Sequence, residues 1–453
     1  MKIKKLKALL PERVFTEPEV LCCYSFDASP IRDGNALAVV RPKSVDECVK
    51  AVQFCFDNNV PLCPRGAGTG TTGGSVSLNN AVILSLEAMN RVLEVDEKNS
   101  LVVVEPGVIN SHLQRELAKK KLFYPPDPAS MAFCTLGGNV AENAAGPRGI
   151  KYGVTRDYVM GLEVVMPDGT VMQTGVKTHK GVVGYDLTRL IVGSEGTLAV
   201  ITKIFLKILP LPEKVVTLLA VFQNMVSAAQ TVTAITGAGI VPAALEFMDR
   251  EAIMAVERYQ NFGLPAQCEA MLLIELDGSS PVVEKEADRA ASICTSFGAS
   301  VTAADTQSSR EQLWKARRAI SPALYFISPS KINEDIVVPR TRLADILNEL
   351  RKISETCGVP IVSFGHAGDG NIHVNIMTDT SNPEEYGRAK GAVKKIFEAT
   401  LRMGGTISGE HGIGLTKKPY IGMEIPRSGI NLMKGIKELF DPKGILNPGK
   451  IFP

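Results

Sequence analysis

The sequence predicts an α+β protein of two domains, and three observations carry that reading. Up to about residue 208, short apolar runs alternate with glycine-rich loops. From Val215 onward, strand-like runs such as VVTLLAVF and AMLLIEL alternate with amphipathic helical stretches at 225–237, 281–297, 310–325, 341–357 and 384–403, the texture of helices layered on a sheet. Pro210 and Pro212 stand between the two textures and mark a boundary. A chain of 453 residues is also too long for one hydrophobic core.

Taken in order, the start MKIKKLKALLPERVF reads as a short basic surface helix, because its apolar run is too brief for a signal peptide. ALAVV is a buried strand. Ser44 then caps a helix, and Glu47 three residues later completes a capping box. VPLCP, AVILSL and LVVVEPG are further short strands. VMGLEVVMPDGTVMQTG is a hairpin that turns at Asp168-Gly169. The tail LFDPKGILNPGKIFP has loop character and is expected to return to the first domain. The domains are therefore expected at 1–212, with 440–453 returning to it, and at 213–439.

Composition narrows the function. The formal charge is +2, with one Trp and nine Tyr, so neither bulk charge nor stacking surface points to nucleic acid. No apolar run approaches the roughly 20 residues of a membrane helix. The nine cysteines are odd in number and show no Cys-x-x-Cys spacing, which argues against iron–sulfur and zinc-finger ligation and fits reduced, mostly buried thiols. These features point to a cytoplasmic location.

The first candidate site is RGAGTGTTGG, residues 65–74. Glycines there let successive backbone amides approach an anion. The segment lacks the Rossmann spacing and its later acidic residue, and no Gly-Lys-Ser/Thr follows as in Walker A. TLGGNVAENAAGPRGIKYG and GSEGTLAVIT supply two more small-residue segments, so the three together suit one extended ligand.

The second candidate site holds the histidines. The chain has five, and three lie in GHAGDGNIHVN and GGTISGEHGIG. The first of these segments reads as a hairpin that turns His366 and His373 toward each other, with Asn375 on the face of His373. In the second, Gly409 and Gly412 free the adjacent Glu410 and His411 to line one pocket. Two His and one Glu form an open first shell for a divalent metal, and zinc, manganese and iron all suit it. His411 is the candidate general base. His112 and His179 read as structural, and Asp369 as the turn residue of its loop.

PRGAGTGTTGG, PPDPAS, TLGGNVAENAAGPRGIKYG, GSEGTLAVIT and the terminal NPGK together resemble the FAD-binding domain of the vanillyl-alcohol oxidase/p-cresol methylhydroxylase superfamily. The resemblance implies a two-subdomain FAD-binding domain of the p-cresol methylhydroxylase type, followed by a ferredoxin-like α+β cap that carries the substrate site. The implied pyrophosphate segment is Arg65, Gly66, Ala67, Gly68, Thr69, Gly70, Thr71, Gly73 and Gly74. Further implied FAD contacts are Pro126, Asp127, Gly137, Gly138, Asn143, Gly146, Gly149, Tyr152, Glu195, Gly196, Ile201 and Asn447. Thr69 occupies the place where some members tether flavin through a histidine, so the FAD is expected to be non-covalent.

GHAGDGNIHVN and SGEHGIG resemble the D-2-hydroxy-acid dehydrogenase branch, which includes D-lactate dehydrogenases and the glycolate oxidase flavin subunit. That resemblance implies a metal, often zinc, on His366, His373 and Glu410, with His411 beside the substrate and Asn375 completing the site. It also implies Arg317, from LWKARRAI, as the carboxylate clamp. SKINEDIVVP, where the family pattern varies, offers Lys331 and Asn333 as further contacts. The expected reaction takes a small D-2-hydroxy acid such as lactate or glycolate to its 2-oxo acid. Electrons then pass to an acceptor protein, either an electron-transfer flavoprotein or an iron–sulfur subunit. A homodimer is compatible with this reading. The rivals are a non-catalytic FAD relay subunit and an oxygen-using flavin oxidase.

Overall fold

The computed structural model describes residues 2–304 and 306–453. The chain forms two compact units: residues 1–145, 154–211 and 410–453 make the first, and residues 146–153 and 212–409 make the second. The segment that rejoins the first unit therefore begins at Glu410, well before the tail that stands out in the sequence.

The first unit holds three sheets. Strands β1 (Val14–Phe15), β2 (Ala36–Val40), β3 (Leu62–Arg65) and β4 (Ala81–Ser85) form one, in the order β1-β2-β4-β3. The helix Val45–Asp57 crosses between β2 and β3 and seals this sheet's apolar face with Ala51, Val52 and Cys55. Ser44 caps it by accepting from Glu47 N, but the expected reciprocal half of the capping box does not form. The Glu47 carboxylate instead takes Arg13 Nε and Lys43 N, charged and backbone donors that outcompete the cap's own amide.

The second sheet has the order β5-β6-β10-β8-β9, from β5 (Val92–Asp96), β6 (Leu101–Val104), β8 (Val159–Val165), β9 (Val171–Gly175) and β10 (Val200–Lys207). Its β8–β9 pair is the expected hairpin. β7 (Leu122–Phe123) and β11 (Leu209–Pro210) form a short separate pair. The N-terminal basic helix is present at Lys2–Leu9, with Leu6 buried.

The second unit is one antiparallel sheet of seven strands. These are β12 (Lys214–Phe222), β13 (Ala244–Asp249), β14 (Ala270–Gly278), β15 (Ser300–Ala304), β16 (Ser330–Val337), β17 (Ile361–His366) and β18 (Asn371–Thr378), in the order β15-β12-β14-β13-β17-β18-β16. Strands β12 to β15, with the helices Met225–Gly237 and Ser280–Ser296, follow a ferredoxin-like path. The next three strands repeat that path: β16, helix Leu343–Cys357, β17, β18, helix Pro383–Arg402. The fourth strand of the repeat is reduced to one bridge, Val337 to Thr406. The two halves join at β13 and β17, each the second strand of its half.

The sheet's two faces are covered differently. The helices Arg250–Tyr259 and Gln307–Ala323 pack on one face over Met248, Met271, Val362, Phe364 and Met377. That face also carries the polar residues described below. No helix among the described residues is long and apolar enough to cross a membrane.

Candidate active site

In the second unit, strand register builds the site. β17 and β18 form the expected hairpin, in which Phe364 faces His373 and His366 faces Asn371. Phe247 pairs with Gly365 and Met248 with Phe364, so the same register sets Glu246 opposite His366. On the other side, Asn333 faces Asn375 and Asp335 faces His373. Directly paired residues share a face. One face of four strands thus presents Glu246, His366, Phe364, His373, Asn375, Lys331, Asn333 and Asp335.

His366 and His373 are both buried, and their Nε2 atoms lie 3.4 Å apart with the rings edge to face. An ion with tetrahedral ligands at about 2.0–2.1 Å needs two ligand nitrogens about 3.3–3.4 Å apart. The imidazole pair therefore fits a cation such as zinc. His366 Nδ1 lies 2.7 Å from Glu246 Oε1, and Arg317 Nη2 ion-pairs with Glu246 Oε2 at 2.6 Å. Burial pushes the Glu246 carboxyl up, but the charges of His366 and Arg317 more than reverse this and hold it below the usual range. The Arg317 guanidinium also lies over Phe364, 4.8 Å from the ring centre.

Several polar atoms on this face have no partner among the described residues. Both amide atoms of fully buried Asn375, the Asn333 Oδ1 and the Arg317 Nε are unsatisfied. Buried polar groups normally find partners, so this concentration marks a place prepared for a polar ligand. Lys331 donates to Ser321 O and Oγ at 2.8 and 2.7 Å, and burial pushes its ammonium down to about 8. Asp369 is a turn residue as expected, and its Oδ1 accepts from Asn371 N.

The chain leaves this unit at Gly409. Gly409 N donates to Asp335 Oδ2 at 2.8 Å and Ser408 Oγ donates to Oδ1 of the same carboxylate, directly across from His373. Glu410 follows one residue later, so its backbone starts from this anchor.

In the first unit, His411 is moored to the first glycine-rich loop. Thr72 Oγ1 donates to His411 O, and Leu415 N and Thr416 N both donate to Thr72 O. Gly412 has φ +75°, and a Cβ there would stand 1.9 Å from Glu142 Oε1, so the turn after His411 requires glycine. Ile413 N and Gly414 N donate to the buried Glu195 carboxylate at 2.8 and 2.7 Å. Burial pushes that carboxyl up.

The loop 65–74 fits an anion. Among the described residues, the backbone amides of Ala67, Gly68, Thr69, Gly70 and Thr71 find no acceptor, and the Thr71 hydroxyl is also unpartnered. Successive free N–H groups form a nest for phosphate oxygens. Arg65 opens the loop but turns inward, donating to Phe26 O and Ser75 O and lying over Tyr24. Gly66 abuts the Thr135 hydroxyl, while Gly73 and Gly74 close the loop, with Gly74 O taking Asn447 Nδ2 and Lys450 Nζ.

The remaining expected cofactor contacts are spread over both units. In the first, Pro126 O accepts from Asn110, Gly137 packs on Pro106, and Gly138 N is capped by Thr135. Asn143 ends its helix with φ +58°. Glu195 and Gly196 form a positive-φ pair, Ile201 lies buried in β10, and Asp127 stands just past Pro126. Asn447 Nδ2 also donates to Glu195 O, and its Oδ1 finds no partner among the described residues. In the second unit, Gly146, Gly149 and Tyr152 belong to the inserted segment 146–153, where Tyr152 donates to Asp277. His112 is an exposed helix residue 3.9 Å from Glu116, and His179 lies in an exposed loop.

Residues 36–175 match the FAD binding domain family, and residues 211–451 match the FAD linked oxidases, C-terminal domain. The chain belongs to the FAD-linked oxidases. Among curated relatives of this oxidase, glycolate oxidase subunit GlcD of Bacillus subtilis is 45% identical over 95% of this chain and 92% of its own. D-lactate dehydrogenase of Anaerostipes hadrus is 37% identical over 99% and 96%. The solved structure of p-cresol methylhydroxylase with substrate bound superposes with a TM-score of 0.84 at 17% identity, over 99% of this chain and 96% of that one, which establishes the shared fold. This FAD-linked oxidase is thus an oxidoreductase with the fold of p-cresol methylhydroxylase.

Three residues of the FAD-linked oxidase went unread in its sequence. Glu246 sits in AALEFMD, where a carboxylate flanked by apolar residues within a strand-like run is the signal that could have found it. Asp335 sits in SKINEDIV beside Glu334 and other polar residues, so nothing in the pattern sets it apart. Lys450 follows the NPG motif, and nothing local foretells that its buried ammonium clamps Gly74 O and Val76 O.

Proposed function

We propose that this FAD-linked oxidase converts a small D-2-hydroxy acid, of the lactate or glycolate class, to its 2-oxo acid, and that it works in the cytoplasm. The observation that carries the reading is the buried face on which the imidazole pair of His366 and His373 stands beside Arg317 and the unsatisfied Asn375. A hydroxy acid offers two oxygens to a cation and a carboxylate to cationic donors, and this face holds groups for both. The named activities of the two curated relatives, glycolate oxidase and D-lactate dehydrogenase, agree with it. Free cysteines, six of them buried, suit a reducing compartment.

In this reading the chain holds FAD non-covalently, with the amides of residues 66–74 on its pyrophosphate and Thr69 where a tethering histidine would stand. FAD, when bound, supplies the acceptor for an electron pair delivered as hydride. His366, His373 and Glu410 hold a divalent cation, zinc being the best match to the spacing. Such a cation lowers the pKa of a hydroxyl that binds to it. Arg317, Asn375 and Lys331 receive the substrate carboxylate. His411, which joins the cradle through Thr72, accepts the hydroxyl proton as general base. Electrons leave to a partner protein, in keeping with the relative's description as a subunit.

The test is anaerobic. The visible spectrum of FAD-loaded protein is recorded, and D-lactate, L-lactate, glycolate and D-2-hydroxyglutarate are added in turn. Bleaching by D-lactate, glycolate or D-2-hydroxyglutarate but not by L-lactate, lost with a chelator and restored by zinc, is expected. His411→Asn should keep the flavin spectrum and slow bleaching by about 10²–10⁴-fold. A flavin that none of the acids bleaches would overturn the substrate class, and an unchanged rate in the variant would overturn the role of His411.

A further inference from the structure

We propose that Glu246 is a positioning residue, one buried carboxylate whose two oxygens separately fix the metal-facing tautomer of His366 and the placement of Arg317. This rests on His366 and His373 being metal ligands.

The geometry leaves little freedom. The Glu246 side chain has 0% exposure, and its two oxygens are divided between His366 Nδ1 at 2.7 Å and Arg317 Nη2 at 2.6 Å. An ionised carboxylate only accepts, so Nδ1 must carry the hydrogen. A neutral imidazole has one N–H, which leaves the Nε2 lone pair pointing toward His373 Nε2, 3.4 Å away. Without Glu246 the two tautomers of His366 would compete, and one of them places a hydrogen where the cation belongs.

The second oxygen acts on the substrate side. Arg317 is held between Glu246 and the ring of Phe364, so its guanidinium plane is fixed before any ligand arrives. Among the described residues its buried Nε has no acceptor, Asn375 Nδ2 has none either, and Asn375 Oδ1 has no donor. The carboxylate therefore links a binding function on strand β17 to one on the helix Gln307–Ala323, and each depends on the same side chain. A purely structural ion pair between Glu246 and Arg317 would predict no effect on cation affinity.

The experiment compares wild type, Glu246→Gln and Glu246→Asp, each as FAD-loaded full chain. Zinc dissociation constants are measured by competition with a fluorescent chelator, and folding is followed by flavin absorbance and thermal unfolding. Loss of an outer-shell partner to a ligating histidine weakens metal binding by about 10–100-fold. That loss is expected in Glu246→Gln, with partial recovery in Glu246→Asp. Equal zinc affinity in wild type and Glu246→Gln would overturn the proposal while leaving the metal site standing. A wild type that binds no zinc would overturn the metal reading and this inference with it. Should Glu246→Gln fail to fold, the wild type still decides the matter. Long-range ¹H–¹⁵N spectra of histidine-labelled protein should show His366 protonated on Nδ1, and protonation on Nε2 alone would refute the assignment.

Discussion

At the scale of single residues, the burial of Lys331 has a consequence for pH. Its folded pKa is pushed down to about 8, so the ammonium is present below that value and lost above it. A carboxylate contact through Lys331 then weakens as pH rises through about 8. KM for the hydroxy acid is expected to rise above that pH in wild type, and Lys331→Arg should flatten the limb because a guanidinium stays charged. Steady-state KM measured between pH 6 and 10 checks this. The histidines were legible because glycine-rich loops with two His or a Glu-His pair are rare in a chain with five histidines. Glu246 was not, because it lies 120 positions before His366 and only the sheet register brings them together.

At the scale of elements, the β17–β18 hairpin depends on a close approach of backbone to backbone. A Cβ on Gly365 would stand 2.4 Å from Asn371 O and 2.9 Å from Ile372 Cα. Gly365→Ala must therefore spread the hairpin that holds both imidazoles. A cost of about 1–3 kcal/mol is expected from such overpacking, together with weaker zinc binding. Thermal unfolding and chelator competition measure the two effects separately. The central strands and helices were readable from apolar runs and helical periodicity. Strand β16 was less so, since SKINEDIV carries polar residues on the face that forms the site and so breaks the apolar pattern. The repeat of the β-α-β-β-α path was invisible, because it conserves strand order and not residue identity.

At the scale of the whole molecule, chain continuity and compact units do not coincide. The segment 146–153 belongs with residues 212–409 although it is flanked by sequence of the first unit. Within the second unit it is tied by Lys151 and Tyr152, both on the nearly buried Asp277. Lys151→Met leaves that carboxylate with only the tyrosine hydroxyl, for an expected loss of about 1–3 kcal/mol. Adding Asp277→Asn should recover part of it, which urea unfolding of the single and double variants will show. The motif TLGGNVAENAAGPRGIKYG gave no hint that it is divided between units at Ala145, since small residues serve both a cofactor cradle and a crossing strand of chain.

The return of residues 410–453 to the first unit also sets an order of events during synthesis. The buried Glu195 carboxylate takes its donors from Ile413 and Gly414, and Gly74 O takes its donors from Asn447 and Lys450. All four of these partners follow the whole of the second unit in the chain. Every residue of the second unit is translated before them. The first unit, though begun earliest, must therefore wait for chain that follows the whole second unit before its glycine-rich loop gains these partners.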